Sequence, residues 1–381
     1  MGERIPAEVF PPGEFIREEL EARGWNQIDL AAILGRAPRD VSEIITAKRS
    51  ITPETAKQLA AAFGTDPRLW MNLETAYRLS RVGNADDSVS RRARLYEIAP
   101  VREMVQRRWI EPSENIEVLE KRVADFFEVT SLDQPFTFMA HAARKSTSYQ
   151  DATTSQMAWL FRAKKLAKAV FTKKFSEKSF AECLKQLKQI LPNAEEIRQV
   201  PKILSDSGVR FVIVEPLPWT KIDGVCFWLD KQSPVVVLSL RYDRIDWFWH
   251  TLLHELAHVE NRDGMDEEVT IDTDLVGEQS EPYSNKPPSE QRADKFAAEF
   301  SVSRAQLDNF IARVRPLYSA QRIRGFAAST VHVHPGIVVG QLQYRGEISY
   351  AHSRKMLVRV RNIVTRSTLT DGWGYMPPAI M

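Results

Sequence analysis

A chain of 381 residues exceeds one ordinary domain of about 100–200 residues, so two or three units are expected. Its 52 Lys and Arg against 50 Asp and Glu leave a net charge of +2, which excludes a histone-like coat of positive charge and confines any nucleic-acid contact to a local patch. Two cysteines, Cys183 and Cys226, exclude a disulfide framework. No apolar run reaches about 18 residues and the N-terminus lacks the apolar stretch of a signal peptide, so a soluble cytoplasmic protein with no membrane contact is expected.

To about Val82 the pattern predicts five short helices. Glu14–Arg23 sets Phe15, Ile16 and Leu20 on one side and stops at Gly24. Gln27–Leu34 carries Ile28, Leu30, Ala31 and Leu34 and breaks at Gly35. Pro38–Ala47 follows, with Pro38 suited to a first turn. Thr52 is a candidate N-cap ahead of Pro53, the apolar face being Ala56, Leu59, Ala60 and Phe63 before Gly64. Asp66-Pro67 opens a fifth helix through Trp70, Leu73, Tyr77 and Leu79.

The polar, turn-rich stretch 83–88 reads as a linker. From Ser90 to about Ser205 the period is helical, with Arg and Lys clusters on solvated faces. It then changes: Val209–Val214, Cys226–Leu229 and Val235–Leu240 read as strands. Ile245–Glu260 is helical again. Residues 262–289 are acidic and irregular, a length that marks a functional or mobile loop. A helix from Ser289 to Val302 and two or three more to Ile348 complete the pattern, without an internal repeat. The expected fold class is multidomain and mainly α with a small α+β domain: residues 1–82, a helical middle region 83–205, a strand-bearing domain 206–360 and a tail 361–381.

Short helix, glycine turn, short helix near residues 27–46 is the spacing of a helix-turn-helix. Its second helix would present Arg36, Arg39, Asp40, Ser42 and Glu43 to a major groove, with Val41, Ile44 and Ile45 anchoring it. Lys48 and Arg49, and Gln27 on the preceding helix, would hold phosphates. Residues 1–80 hold ten basic and twelve acidic side chains, so the basic patch is local, at 36–49. Pro12–Leu20, Gln27–Ala31, Val41–Ile45, Lys48–Ala56, Phe63-Gly64-Thr65 and Trp70–Leu73 together resemble the HigA-type antitoxin branch of the Xre helix-turn-helix family. The resemblance implies a five-helix, lambda-repressor-like DNA-binding domain over about residues 6–82. Family members often carry Gly where Ala47 stands.

The strongest chemical signal is His254-Glu255-Leu256-Ala257-His258. Residues four apart share a helix face, so both imidazoles can reach one metal, while Glu255 can act on a metal-bound water without ligating. A third ligand is required. Glu260 and Asp263 lie too near on or beyond the same helix. Glu290 is the better candidate, with Glu299 as the alternative. Asp294, four residues after Glu290, would hydrogen-bond the outer nitrogen of a ligating histidine. His250 is read as a supporting or structural residue, and Tyr283, His332 and His334 are open candidates for stabilising an oxyanion.

The helix around His254–His258, Glu290-x-x-Ala293-Asp294-x-Phe296-Ala297 and the segment Val331–Gly346 resemble the ImmA/IrrE family of zinc metallopeptidases. The resemblance spans about residues 206–350 and implies a zincin-like domain with a small sheet. It further implies Zn2+ on His254, His258 and Glu290, and Glu255 as general base. Where Asp294 stands the family more often has Asn. The expected protein is therefore a homodimeric regulator of double-stranded operator DNA that also cleaves a repressor-like partner. The rival is a HigA-like antitoxin or autorepressor whose C-terminal domain senses or binds a partner, such as a cognate toxin, without catalysis.

Overall fold

The computed structural model describes residues 9–82, 87–134, 136, 144–145, 152–263, 265, 270–275 and 286–372. The chain divides into two compact units, Met1–Arg91 and Arg92–Met381. Among the described residues no helix is long and apolar enough to cross a membrane.

The first unit holds α1 (Pro12–Arg23), α2 (Gln27–Leu34), α3 (Pro38–Ile45), α4 (Pro53–Phe63) and α5 (Pro67–Arg81). Local chemistry fixes their ends. The Asn26 side chain accepts from the Ile28 and Asp29 amides, Thr52 from Thr55 and Asp66 from Arg68, so donors that a helix start leaves orphaned are satisfied. Ile16, Leu30, Val41, Ile45, Leu59, Phe63 and Trp70 form the core. Two residues expected on apolar faces, Ile28 and Leu79, are exposed instead. Each lies two residues from a buried neighbour, Leu30 or Tyr77, and two residues of helix turn a side chain to the far side. Gly13 permits a close approach: a Cβ there would sit 1.9 Å from the carbonyl oxygen of Ile45 on α3.

The boundary between the units falls within α6 (Asp87–Ile98). The second unit continues with α7 (Val101–Gln106), α8 (Ile116–Phe126), β1 (Arg144–Lys145), α9 (Thr154–Ala169), α10 (Glu177–Ile190), α11 (Val200–Ser207), β2 (Arg210–Ile213), β3 (Ile222–Trp228) and β4 (Pro234–Leu238). It closes with α12 (Ile245–Asn261), β5 (Thr270–Thr273), α13 (Pro288–Ser301), α14 (Arg304–Val314), α15 (Ala320–Phe326), α16 (Pro335–Tyr344), α17 (Arg361–Val364) and β6 (Leu369–Thr370). The strands form one mixed sheet in the order β1-β5-β3-β4-β2-β6. β4 runs parallel to β2, with Val235 opposite Arg210, and antiparallel to β3, with Val236 opposite Cys226. β5 is antiparallel to β3, with a register irregularity between Ile222 and Gly224.

Alternation splits the sheet between two cores. Val212, Val225, Phe227, Val235 and Val237 pack with Phe127 and with Trp159 and Phe161 of α9. Phe211, Ile213, Cys226, Trp228, Val236 and Leu238 pack with α10, α11, α12 and the later helices. The expected helical middle region is thus not a layer of its own: α8 and α9 cover one face of the sheet and α10 and α11 part of the other. An apolar sheet face has to be buried, and these helices bury it. Nor is 361–372 a free tail, because β6 pairs with β2 and Asp371 meets the buried Arg107 at 3.3 Å. Residues 373–381 lie outside the described residues, as does most of the expected 83–88 linker.

Candidate functional site

Helix α12 lies against the sheet through Trp249, Leu252, Leu253 and Leu256, and α13 packs along it. Within this apolar body His254 and Glu255 are fully buried, and His258, Glu290 and Asp294 nearly so. The expected helical spacing brings the partners together. His254 Nε2 lies 3.2 Å from His258 Nε2 and 2.9 Å from Glu290 Oε2, and His258 Nε2 lies 3.5 Å from Glu290 Oε2. Asp272 of β5, which the sequence pattern did not single out, joins them with Oδ2 3.7 Å from His254 Nε2. One donor atom from each of these four residues lies within 4.8 Å of all the others.

Residues behind the cluster fix the rings. Asp294 Oδ1 lies 3.0 Å from His254 Nδ1, the place expected for it, and its other oxygen accepts from Lys286 Nζ at 2.7 Å. Asp263 Oδ2 lies 2.9 Å from His258 Nδ1, so the residue excluded as a ligand holds the second imidazole. Both histidines therefore present Nε2 inward, the arrangement in which an outer carboxylate sets the tautomer. His250 Nε2 is 3.7 Å from Asp294 and half-exposed, beside the cluster.

The charges in this pocket act on one another strongly. Burial raises the Glu255 carboxyl above its usual range, only partly opposed by His258. Burial and the charges of Glu290 and Glu255 push Asp272 up as well. For Glu290 burial acts upward, but hydrogen bonds from His254 and His258 outweigh it and hold the carboxyl below the usual range. Burial would lower both imidazoles; the surrounding carboxylates prevail and raise them. A site with more buried carboxylates than cations to offset them is suited to a divalent metal, and two imidazoles among the donors favour zinc or a similar transition metal over calcium or magnesium.

The Glu255 carboxyl lies between Asp272 of the cluster and Gly224 of β3. A Cβ on Gly224 would sit 2.1 Å from Glu255 Oε1, so a side chain at this strand position would displace the Glu255 carboxyl. Both Glu255 oxygens are buried, with the Asp272 carboxyl as the hydrogen-bonding neighbour. The other expectations fall away from the cluster. Glu299 is exposed and accepts from the Arg304 amide. Glu260 and His332 are exposed, and His334 caps α16 by accepting from the Gly336 amide. Tyr283 lies outside the described residues.

On the first unit, Val41, Ile44 and Ile45 bury one face of α3 as expected. The opposite face is more self-neutralised than its sequence suggested. Arg39 Nε donates to Glu43 at 3.0 Å and Arg49 Nη1 to Asp40 at 2.6 Å, while Arg36 Nε is taken by Gln58 of α4. Ser42 is half-buried, Gln27 is exposed at the start of α2, and Lys48 is exposed with no ion-pair partner among the described residues. Ala47, where the resembling family often carries glycine, has φ +56°, the left-handed region that glycine adopts without strain.

Residues 16–70 match the helix-turn-helix family model. An uncharacterized HTH-type transcriptional regulator of Escherichia coli, YddM, is 34% identical over 84 residues, which are 22% of this chain and 88% of that protein. The chain belongs to the helix-turn-helix family. Virulence-associated protein I of Dichelobacter nodosus is 38% identical over 80 residues, 21% of this chain and 74% of its own. Among solved structures, the Pseudomonas aeruginosa antitoxin HigA with its higBA promoter is 31% identical, covering 19% of this chain and 80% of that one, with a TM-score of 0.19. A HigA-family addiction module antidote protein from Coxiella burnetii is 38% identical over 19% of this chain and 79% of its own, with a TM-score of 0.18. In this helix-turn-helix protein the matched residues run from within α1 to the start of α5.

Proposed function

We propose that the protein is a homodimeric regulator that reads double-stranded operator DNA through α3, and that its second unit is a zinc endopeptidase of the ImmA/IrrE kind acting on a repressor-like partner. The observation that carries the peptidase reading is Glu255, fully buried one residue from His254 with its carboxyl against Asp272 of the cluster, where a purely structural metal site has no use for it.

His254, His258 and Glu290 would hold the ion, with Asp294 and Asp263 fixing the rings. When bound, zinc supplies Lewis-acid polarisation of the scissile carbonyl and of the attacking water. Glu255 takes a proton from that water as its oxygen adds to the carbonyl carbon, then returns the proton to the amine as the C–N bond breaks. On the first unit, Lys48, Arg49 and Gln27 would hold phosphates while Arg39 and Ser42 face base edges.

The test is incubation of the zinc-loaded chain, and of its Glu255→Gln form, with repressor-like regulators and with a small toxin as alternative partner. The native chain is expected to cut the regulator. The variant is expected to keep its zinc and leave the regulator whole. Cutting by a zinc-replete Glu255→Gln chain overturns the mechanism.

A further inference from the structure

We propose that Asp272 is a fourth protein ligand of the metal, so that the resting centre is closed and the peptidase latent until β5 withdraws. The inference rests on the metal reading above and adds its regulation.

A tetrahedral site with metal–ligand arms of about 2.0–2.1 Å has donor–donor edges of about 3.3 Å. The three edges among His254, His258 and Glu290 are 2.9, 3.2 and 3.5 Å, and the edge from Asp272 to His254 is 3.7 Å, on both sides of that value. Asp272 lies 3.7 Å from His254, within 4.8 Å of His258 and Glu290, and is equally buried. Its oxygen stands where a catalytic site keeps a position for water or substrate. Four protein ligands are otherwise the mark of a structural site, but a structural site has no need of a buried Glu255 beside it, its carboxyl against Asp272. A closed centre that keeps its base is a latent one.

The element that delivers Asp272 is short and separately fastened. β5 has four residues and meets β3 with an irregular register. Just beyond it Asp274 accepts from Arg241 at 2.7 Å and pairs with Lys221 at 3.1 Å, and the Leu275 amide donates to Asp223 at 2.7 Å. None of these fastenings involves α12 or α13. Removing Asp272 would therefore expose a coordination position without dismantling the other three.

The test uses the full chain loaded with cobalt(II) in place of zinc, with azide as the probe of an open position. The native visible spectrum should not respond to azide. Asp272→Ala and Asp272→Asn should keep one metal per chain, shift their spectra before azide is added, and shift again with it. Regulator cleavage by zinc-loaded Asp272→Ala should rise at least about tenfold over native, as expected when a catalytic metal regains an open position. A native spectrum that moves with azide overturns the proposal, as does an Asp272→Asn spectrum identical to native; either leaves the metal reading standing. Failure of that reading looks different: the native chain takes up no stoichiometric cobalt, or His254→Ala takes it up unchanged. Should Asp272→Ala not fold, the native azide response and Asp272→Asn decide.

Discussion

On α3 of the first unit, Arg39 pairs with Glu43 and Arg49 with Asp40 on open ground, the Arg39 side chain being 88% exposed. In the second unit, Glu255, Asp272 and Glu290 crowd around two histidines, none of them more than 5% exposed. The two regions hold similar residue types at similar spacings, yet water separates their energetics. An exposed pair contributes about 0–1 kcal/mol, so its members can be exchanged with little harm to the fold and are free to serve contacts with a ligand. A buried charge costs several kcal/mol unless its partners and a cation compensate, so every member is tied to the rest.

The largest expected effect follows from that coupling. His254→Ala leaves Glu290 and Asp294 buried without the ring that bridges them. It should destabilise the second unit by about 3–5 kcal/mol, as breaking a buried ionic network does, and abolish stoichiometric zinc uptake. Urea denaturation with parallel metal analysis checks both. A loss below about 1 kcal/mol, the range of an exposed pair, would erase the contrast between the regions.

The next effect belongs to the first unit and is purely steric. Gly13→Ala would drive a methyl to 1.9 Å from the Ile45 carbonyl, a backbone atom that cannot swing aside. The expected cost is about 1–3 kcal/mol, the range for overpacking, read as a lower melting temperature of that unit. Because α3 would also be displaced, operator affinity should fall with it. Unchanged melting would mean that α1 and α3 are not held at this separation.

How much of this was legible in the sequence follows the same division. Helix ends, the α3 anchor residues and the His254–His258 and Glu290–Asp294 pairs are local, written at spacings of one helical turn. Asp272, Asp263 and Lys286 are brought in by tertiary folding from an acidic stretch with no readable period. The start of β3 was missed for a related reason. Ile222-Asp223-Gly224 does not look like a strand, because Gly224 makes room for Glu255 and Asp223 accepts the Leu275 amide. The middle region looks separate in the sequence because helical period shows that a face is apolar without showing what covers it. The apolar faces of α8 and α9 turned out to be one side of the sheet core.

A smaller effect of opposite sign is expected at Ala47. Its φ of +56° costs a residue with a Cβ about 1–2 kcal/mol, of which the added freedom of a glycine in the unfolded chain returns part. Ala47→Gly should therefore stabilise the first unit by about 0.5–1 kcal/mol, measured by thermal melting, without altering zinc content. A destabilising result would mean that the turn after α3 does not hold this conformation.

The smallest effect on stability comes from the surface pair, and it sharpens the comparison most. Glu43→Gln removes the acid that Arg39 and Arg49 both approach, at 3.0 and 3.6 Å. Stability should change by no more than about 0.5 kcal/mol, since both arginines stay solvated and Arg49 retains Asp40. Operator binding should respond instead. With one negative charge gone and Arg39 released, non-specific DNA affinity should rise and its dependence on salt steepen, because a neutralised acid no longer repels phosphates. Titration of the native and Glu43→Gln chains against one duplex at several salt concentrations reads this directly. Equal slopes would place Glu43 and its arginines outside the DNA contact, and the face of α3 would then be a solvated surface like any other.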